Sequence, residues 1–266
     1  MEHPSLTRHT LWLVPIAMAL TACNGTAPHA SYPLSLSVTT KSASALSGPS
    51  ADIQIGTGAN SLKITAAAIV LSRIELSPGG SCTPTAGEDD CDELRAGPQL
   101  VTLPVDGTTK VVLDGLVPAG TYSALHAKLD AVRADTDNAA VSAFLKAHPE
   151  LKGVSVTVTG VYTDSAKVDH AFTFTPEADA EIESAFSPAV TVGANTSNLT
   201  IAVDVASWFK DASGAAINPT NAESAEAIIR NLVRSFRAFE DDEHDGMDEH
   251  VERPDTAHAE PPDTSH

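Results

Sequence analysis

Between Tyr32 and Val205 short runs of β-branched and apolar residues alternate with turn residues, a rhythm that commits the chain to strands rather than to a helical bundle. In the first half the expected strands are Leu34–Thr39, Ala51–Ile55, Leu62–Thr65, Ala68–Leu76, Leu100–Leu103 and Lys110–Leu113. Thr121–Leu129, Ser155–Tyr162, Val168–Phe174, Ala189–Val192 and Leu199–Val205 follow. In Thr121–Leu129 the alternation turns Leu125, Ala127 and Leu129 inward and Tyr122, His126 and Lys128 to water. Leu199, Ile201, Val203 and Val205 likewise share one face of their strand. Aromatic residues make up only 5% of the chain, so Ala, Val and Thr must fill the core, as suits a pleated, half-buried surface. The expected fold is mainly β: an antiparallel β-sandwich with a C-terminal amphipathic helix and a disordered acidic tail.

Two segments carry helical periodicity. Asn138–Ala147 is a short amphipathic helix inserted between strands. Asn221–Phe239 is longer, with Thr220 as N-cap and Glu223 completing a capping box. Its stripe of Ala225, Ile228, Ile229, Leu232, Phe236 and Phe239 is expected to pack on the sandwich. The alternative is that Arg230 and Arg234 lay it on anionic lipid. Trp208-Phe209 is expected to anchor sandwich to helix rather than to form a ligand platform.

The N-terminus carries an address. Arg8 precedes the apolar run Leu11–Leu20, which is too short for a stable transmembrane helix and contains Pro15. Leu20-Thr21-Ala22-Cys23 then resembles the lipobox of bacterial lipoproteins, which implies cleavage before Cys23 and a diacylglycerol on its sulfur. Residues 1–22 are the expected signal peptide, 23–31 a tether, 32–205 the sandwich, 206–240 a helical segment and 241–266 the tail. In that lipoprotein class Asn24 after the Cys, rather than Asp, implies the outer membrane over the inner one. The membrane is the expected partner, reached through the lipid at Cys23. Cys82 and Cys91 flank a loop containing Pro84 and Gly87, and in an exported chain they are expected to form a disulfide.

The net charge of −19 is concentrated at the C-terminal end. From Glu240 to His266 there are eleven Asp and Glu against Arg253 alone, a net of −10. Such a surface repels phosphate backbones, which excludes nucleic-acid partners. Within this run, residues 241–252 fit the spacing of a calcium loop: Asp241, Glu243 and Asp245 as side-chain ligands, Gly246 at the turn, the Met247 carbonyl, and Glu252 last. Glu243 and Asp248 depart from that template, and Arg253-Pro254 leaves no exit helix. A solvated acidic tail is the first reading, weak calcium binding the second, and transition-metal binding assisted by His244 and His250 the third.

No nucleophile elbow, His-Glu-x-x-His or phosphate-cradling Gly-rich loop occurs. His126 is expected to face solvent, His170 to cap a core edge, and Asp130, Asp135 and Asp137 to serve turns. Ile69–Leu76, Leu113–Tyr122, Val205–Phe209 and Asn231–Gly246 together resemble a family of bacterial lipoproteins with a domain of unknown function. The resemblance implies a transthyretin-like or immunoglobulin-like sandwich and no particular activity. The expected function is therefore a membrane-anchored envelope lipoprotein with a non-enzymatic binding or structural role. A calcium-dependent module at 241–252 and an enzyme of unrecognised type are the alternatives, and protein or carbohydrate is the ligand class left open.

Overall fold

A computed structural model describes residues 30–40, 52–78, 92–134, 138–196 and 198–252, with the side chains of 92–96 and 251–252 outside that description. Strand β3 (Ser61–Pro78) is the longest element and organises one sheet. Along its length it pairs antiparallel with β2 (Ile53–Ile55), β7 (Val156–Thr163), β4 (Asp92–Leu103) and β6 (Gly120–Leu129). Register shifts at Ile64/Ala66 and Leu71/Arg73 bend it, so one strand serves successive partners. The sequence divided this segment into two strands at Thr65–Ala68, and the bend is where it did so. β8 (Asp169–Phe174) extends β7, and β9 (Ala180–Val192) extends β6, completing a seven-stranded sheet.

The second sheet has four strands in the order β11 (Phe236–Glu240), β10 (Asn198–Val203), β1 (Ser31–Thr39) and β5 (Thr109–Pro118). β1 and β10 run parallel, and the other pairings are antiparallel. Parallel neighbours cannot be joined by a hairpin, and here all seven strands of the other sheet are built between them. The expected sandwich is therefore present, with one parallel pair in it. Leu34, Leu36 and Val38 of β1 and Leu199, Ile201 and Val203 of β10 face Leu62, Ile64, Leu125 and Leu129 across the core. Helix α1 (Ala139–Ala147), capped by Asn138, covers a satellite cluster of Val70, Val132, Phe144 and Leu151.

The C-terminal third departs from the sequence expectation. Helix α2 (Val205–Trp208) places Trp208 and Phe209 in the core with no exposure. Trp208 Nε1 donates to Ser235 Oγ at 2.7 Å, and Phe209 packs edge-on to Phe174 with ring centroids 5.9 Å apart. This is the anchor expected of the pair. Helix α3, however, spans only Ala225–Val233, and Phe236–Glu240 forms β11 rather than continuing a helix to Phe239. A residue every fourth position from Ile228 to Phe236 reads as helix, yet Phe236 and Ala238 also alternate as a strand. Pairing with the open edge of β10 outweighs the weak local helix preference. The sandwich thus ends at Glu240, beyond the expected Val205. The cap also differs: Asn221 accepts the Glu223 N–H, while Thr220 bonds to Asn218.

Tyr122 was expected to face water and is 2% exposed. A register shift between Tyr122 and Ala124 inverts the alternation there, and the Tyr122 hydroxyl donates to the Pro118 carbonyl at 2.9 Å. Leu125, Ala127 and Leu129 point inward as expected.

Gly160 on β7 gives a direct check of the packing. A Cβ there would lie 2.1 Å from the Lys63 carbonyl oxygen and 2.9 Å from Phe172 Cε1. Gly160→Ala is expected to lower stability by about 2 kcal/mol, the usual scale for overpacking, read as a lower thermal midpoint. An unchanged midpoint would contradict the β3–β7–β8 arrangement.

Candidate functional site

Asp241 follows β11 directly and is 1% exposed, which no solvated tail residue would be. The segment it opens crosses the outer face of the four-stranded sheet. That face presents Ser37 and Thr39 from β1 and Asn198 and Thr200 from β10, all without exposure. Thr200 donates its hydroxyl to Asp241 Oδ2 at 2.6 Å, and the Asp245 and Gly246 N–H groups reach Asp241 Oδ1 and Oδ2 at 3.0 and 2.9 Å. Asn198 donates its side-chain amide to the Asp241 carbonyl at 2.8 Å and its backbone N–H to Asp242 Oδ1 at 3.1 Å. His244 Nδ1 lies 3.4 Å from Ser37 Oγ. Gly246, at φ +80°, sits so close to β1 and β5 that a Cβ would lie 2.5 Å from Thr109 Oγ1. Residues 241–247 are thus a strap laid across the sheet.

The strap contains most of the expected calcium ligands. Asp241 turns its carboxylate onto Thr200 and the strap's own backbone, Asp245 accepts from the Met247 N–H at 2.8 Å, and Glu243 is exposed. Met247 is 49% exposed, and Glu252 closes the short helix α4 (Glu249–Glu252). Among the described residues no three His, Cys, Asp or Glu side chains come together to hold a metal ion.

Beyond the strap the chain returns to the seam where the edge strands of the two sheets meet. The Ala238 N–H donates to Ser184 Oγ of β9 at 2.6 Å. Just past that bond β9 swings away: its register with β6 jumps from Ala185 to Val190 opposite Ala124 and Tyr122, around a cis Ser187–Pro188 bond. A cleft of about 80 Å³ opens there. Phe186 and Pro188 form one wall, Arg237 and Phe239 the other, and Asp248 and His250 close it.

Glu240 lines the same cleft, half-buried. Burial, and then the nearby charge of Asp242, push its carboxyl above the ordinary glutamate range, and the Thr196 hydroxyl at 3.3 Å and His250 offset this in part. His250 Nδ1 lies 3.5 Å from Asp248 Oδ1. The sequence offered His250 as an assisting transition-metal ligand and Asp248 as a departure from the calcium-loop template, and did not single out Glu240 or Arg237 as a site. The one available signal was Pro188 beside an expected strand, since proline within a strand marks a bulge or an edge.

Other candidates lie apart from this cleft. His126 stands opposite Glu75 and Glu183 on neighbouring strands. His170 pairs with Asp164 at 2.9 Å beside the β7–β8 turn, a surface contact rather than a core cap. Asp130 and Asp179 flank the Arg133 corner, where Arg133 holds Glu177 and Asp179, while Asp135 and Asp137 lie outside the described residues. Cys23, Cys82 and Cys91 also lie outside them, as does everything after Glu252. β3 and β4 pair antiparallel, with Leu76 opposite Asp92.

Neither a family model nor a curated protein matches the chain. Among solved structures it is similar to MbnP from Methylosinus trichosporium, at 12% identity and a TM-score of 0.41, over 73% of this chain and 82% of that one.

Glu240 makes stability depend on pH with a definite sign. Its folded-state affinity for protons exceeds its unfolded one, so stability falls as pH rises from the ordinary glutamate range through the raised folded value. Glu240→Gln is expected to raise the thermal midpoint at neutral pH and to leave it unchanged well below the glutamate range. Melting curves across that interval check it, and an equal shift at every pH would refute the dehydrated-carboxyl account.

Proposed function

We propose that this chain is an exported, lipid-anchored envelope protein with a non-enzymatic binding role, presenting the cleft at the β9–β11 seam as its binding site. The observation that carries the anchor is the lipobox-like Leu20-Thr21-Ala22-Cys23, placed eight residues before β1 begins at Ser31. Eight extended residues reach at most about 28 Å, so a lipid on Cys23 would hold the sandwich close to the bilayer. Asn24 favours the outer membrane within the lipoprotein class the lipobox resembles. The binding role is supported by a small concave site at the seam of the two sheets, lined by charges of both signs. Membrane fractionation tests the anchor: the parent is expected in the membrane pellet and Cys23→Ser in the soluble fraction. An unmodified Cys23 thiol by mass spectrometry would refute it.

A second reading, a calcium-dependent module, is favoured by the turn itself, since Gly246 takes the positive φ that the sixth loop position requires. An ion would have to draw Asp241 away from Thr200, so calcium is expected to bind more tightly to Thr200→Val than to the parent. Calorimetry that detects calcium in neither protein removes this reading.

A further inference from the structure

We propose that the corner of the sandwich formed by the start of β1 and the end of β5 rests on the bilayer, with Leu116 set at the boundary of lipid headgroups and acyl chains. This names a partner surface for the anchored protein proposed above and rests on that reading.

β1 and β5 reach further at this end than β10 does. β10 pairs with β1 only from Ser35, opposite Asn198, so Ser31–Leu34 and their partners Gly115–Pro118 extend beyond that pairing as a two-stranded ribbon. At the usual strand rise the extension is ~13 Å. On this ribbon Val117 turns into the core, while Pro33 and Leu116, directly opposite each other, are exposed. Leu116, at 73%, is the most exposed large hydrophobic side chain among the described residues. Single exposed leucines are common on protein surfaces, and two further features give this one a partner.

The first is the absence of charge around it. Residues 30–40 and 115–125 contain no Asp, Glu, Lys or Arg. Nor do residues 184–203, which bring the end of β9 and the start of β10 to the same end. In a chain that is 19% charged, roughly every fifth residue would otherwise carry a charge. The nearest carboxylate along the ribbon is Asp114, opposite Ser35 where the extension begins. Glu88, Asp89 and Asp90 belong to the connection that leaves the other sheet at Pro78, so the contact is confined to the β1–β5 corner. A chain with a net charge of −19 is repelled by anionic lipid, and an uncharged corner is the part that can approach it.

The second is the tether. The Ala119 N–H donates to the Ala30 carbonyl at 2.7 Å, so the chain coming from Cys23 arrives against this corner. The reach of at most about 28 Å between Cys23 and Ser31 keeps the corner near the lipid on Cys23. A short linker gives a second contact an effective concentration of about a millimolar. An apolar contact too weak to recruit a free chain is therefore enough to orient a tethered one. Leu116 then exchanges its exposed surface from water into lipid, which is favourable in proportion to the area removed.

The test uses the full mature chain, acylated at Cys23, in lipid nanodiscs whose headgroups carry chelated gadolinium, with amide relaxation followed by NMR. The paramagnetic enhancement at Leu116 and Ala119 is expected to be at least about fivefold that at Lys110, which lies ~20 Å from Leu116 along β5. Leu116→Glu is expected to stay in the disc and to bring the two ends of β5 within about twofold of each other, since an interfacial contact scales with its buried apolar area. Ala119→Glu, also at an exposed position, is expected to act in the same direction. Melting curves of both variants separate a lost contact from lost folding. Equal enhancement at both ends in the parent, or a folded Leu116→Glu chain with the parent's pattern, overturns the lipid contact and leaves the anchor standing. A parent chain with no acyl group on Cys23, or one that leaves the disc, removes the anchor and the contact together. Concentration-dependent broadening at Leu116 in the unacylated Cys23→Ser chain, with no lipid present, assigns the corner to a second copy and overturns the contact with lipid.

Discussion

A polar sheet face with no access to water is the constraint from which the rest of this structure follows. Ser37, Thr39, Asn198 and Thr200 are as buried as the leucines on the opposite face of the same strands. Buried hydroxyls and amides must be hydrogen-bonded, since each one left unsatisfied costs about 1–3 kcal/mol. Asp241 meets that demand twice: its carboxylate takes the Thr200 hydroxyl, and its carbonyl takes the Asn198 amide. The same carboxylate then gathers the Asp245 and Gly246 N–H groups and so shapes the strap that excludes the water. Cover and covered surface complete each other's hydrogen bonds, and this explains why an acidic segment lies flat on a sheet.

Closure of the sandwich edges follows from the same arrangement. β11 ends at Glu240, one residue before the strap turns inward, so its position is fixed from both sides. Along its free edge β9 supplies Ser184 as a side-chain acceptor in place of a full ladder, which leaves β9 free to bulge. An edge covered in this way does not invite pairing with another chain. The cleft is the space left where the covering strand departs, and Glu240 is partly dehydrated because it sits where strand, bulge and returning chain meet.

How much of this the sequence disclosed depends on whether local pattern and tertiary pairing agree. They agree in β1, β7, β10 and the Leu125–Leu129 half of β6, where alternation alone identifies the inward residues. They conflict at Phe236–Glu240, where apolar spacing satisfies two periods and only the open edge of β10 decides between them. At Tyr122 an extra residue in β6 itself, where Tyr122 and Ala124 lie opposite the adjacent Pro78 and Ser77, inverts a face that local alternation cannot foresee. The strap was hidden by composition: eleven acids in a row of charges read as solvent-facing, and nothing local marks Asp241 as the one beneath the surface. The spacing of Asp241 and Gly246 did carry meaning, since it closes a tight turn on a carboxylate. What that carboxylate holds was written in Thr200 and Asn198, some forty residues away.

Strand register also relates the cleft to the proposed anchor. Glu240 lies opposite Leu199, which lies opposite Leu36, and Arg237 reaches Thr39 through Ala202. Measured along β1 from Ser31, these positions are five to eight residues on, about 17–26 Å at the usual rise per residue. Ser31 itself pairs with Pro118, at the opposite end of the strand from Thr39. Cleft residue Val190 lies opposite Tyr122, only four residues past the Pro118 that pairs with Ser31, so the cleft lies toward the end of the sandwich from which the chain before Ser31 departs.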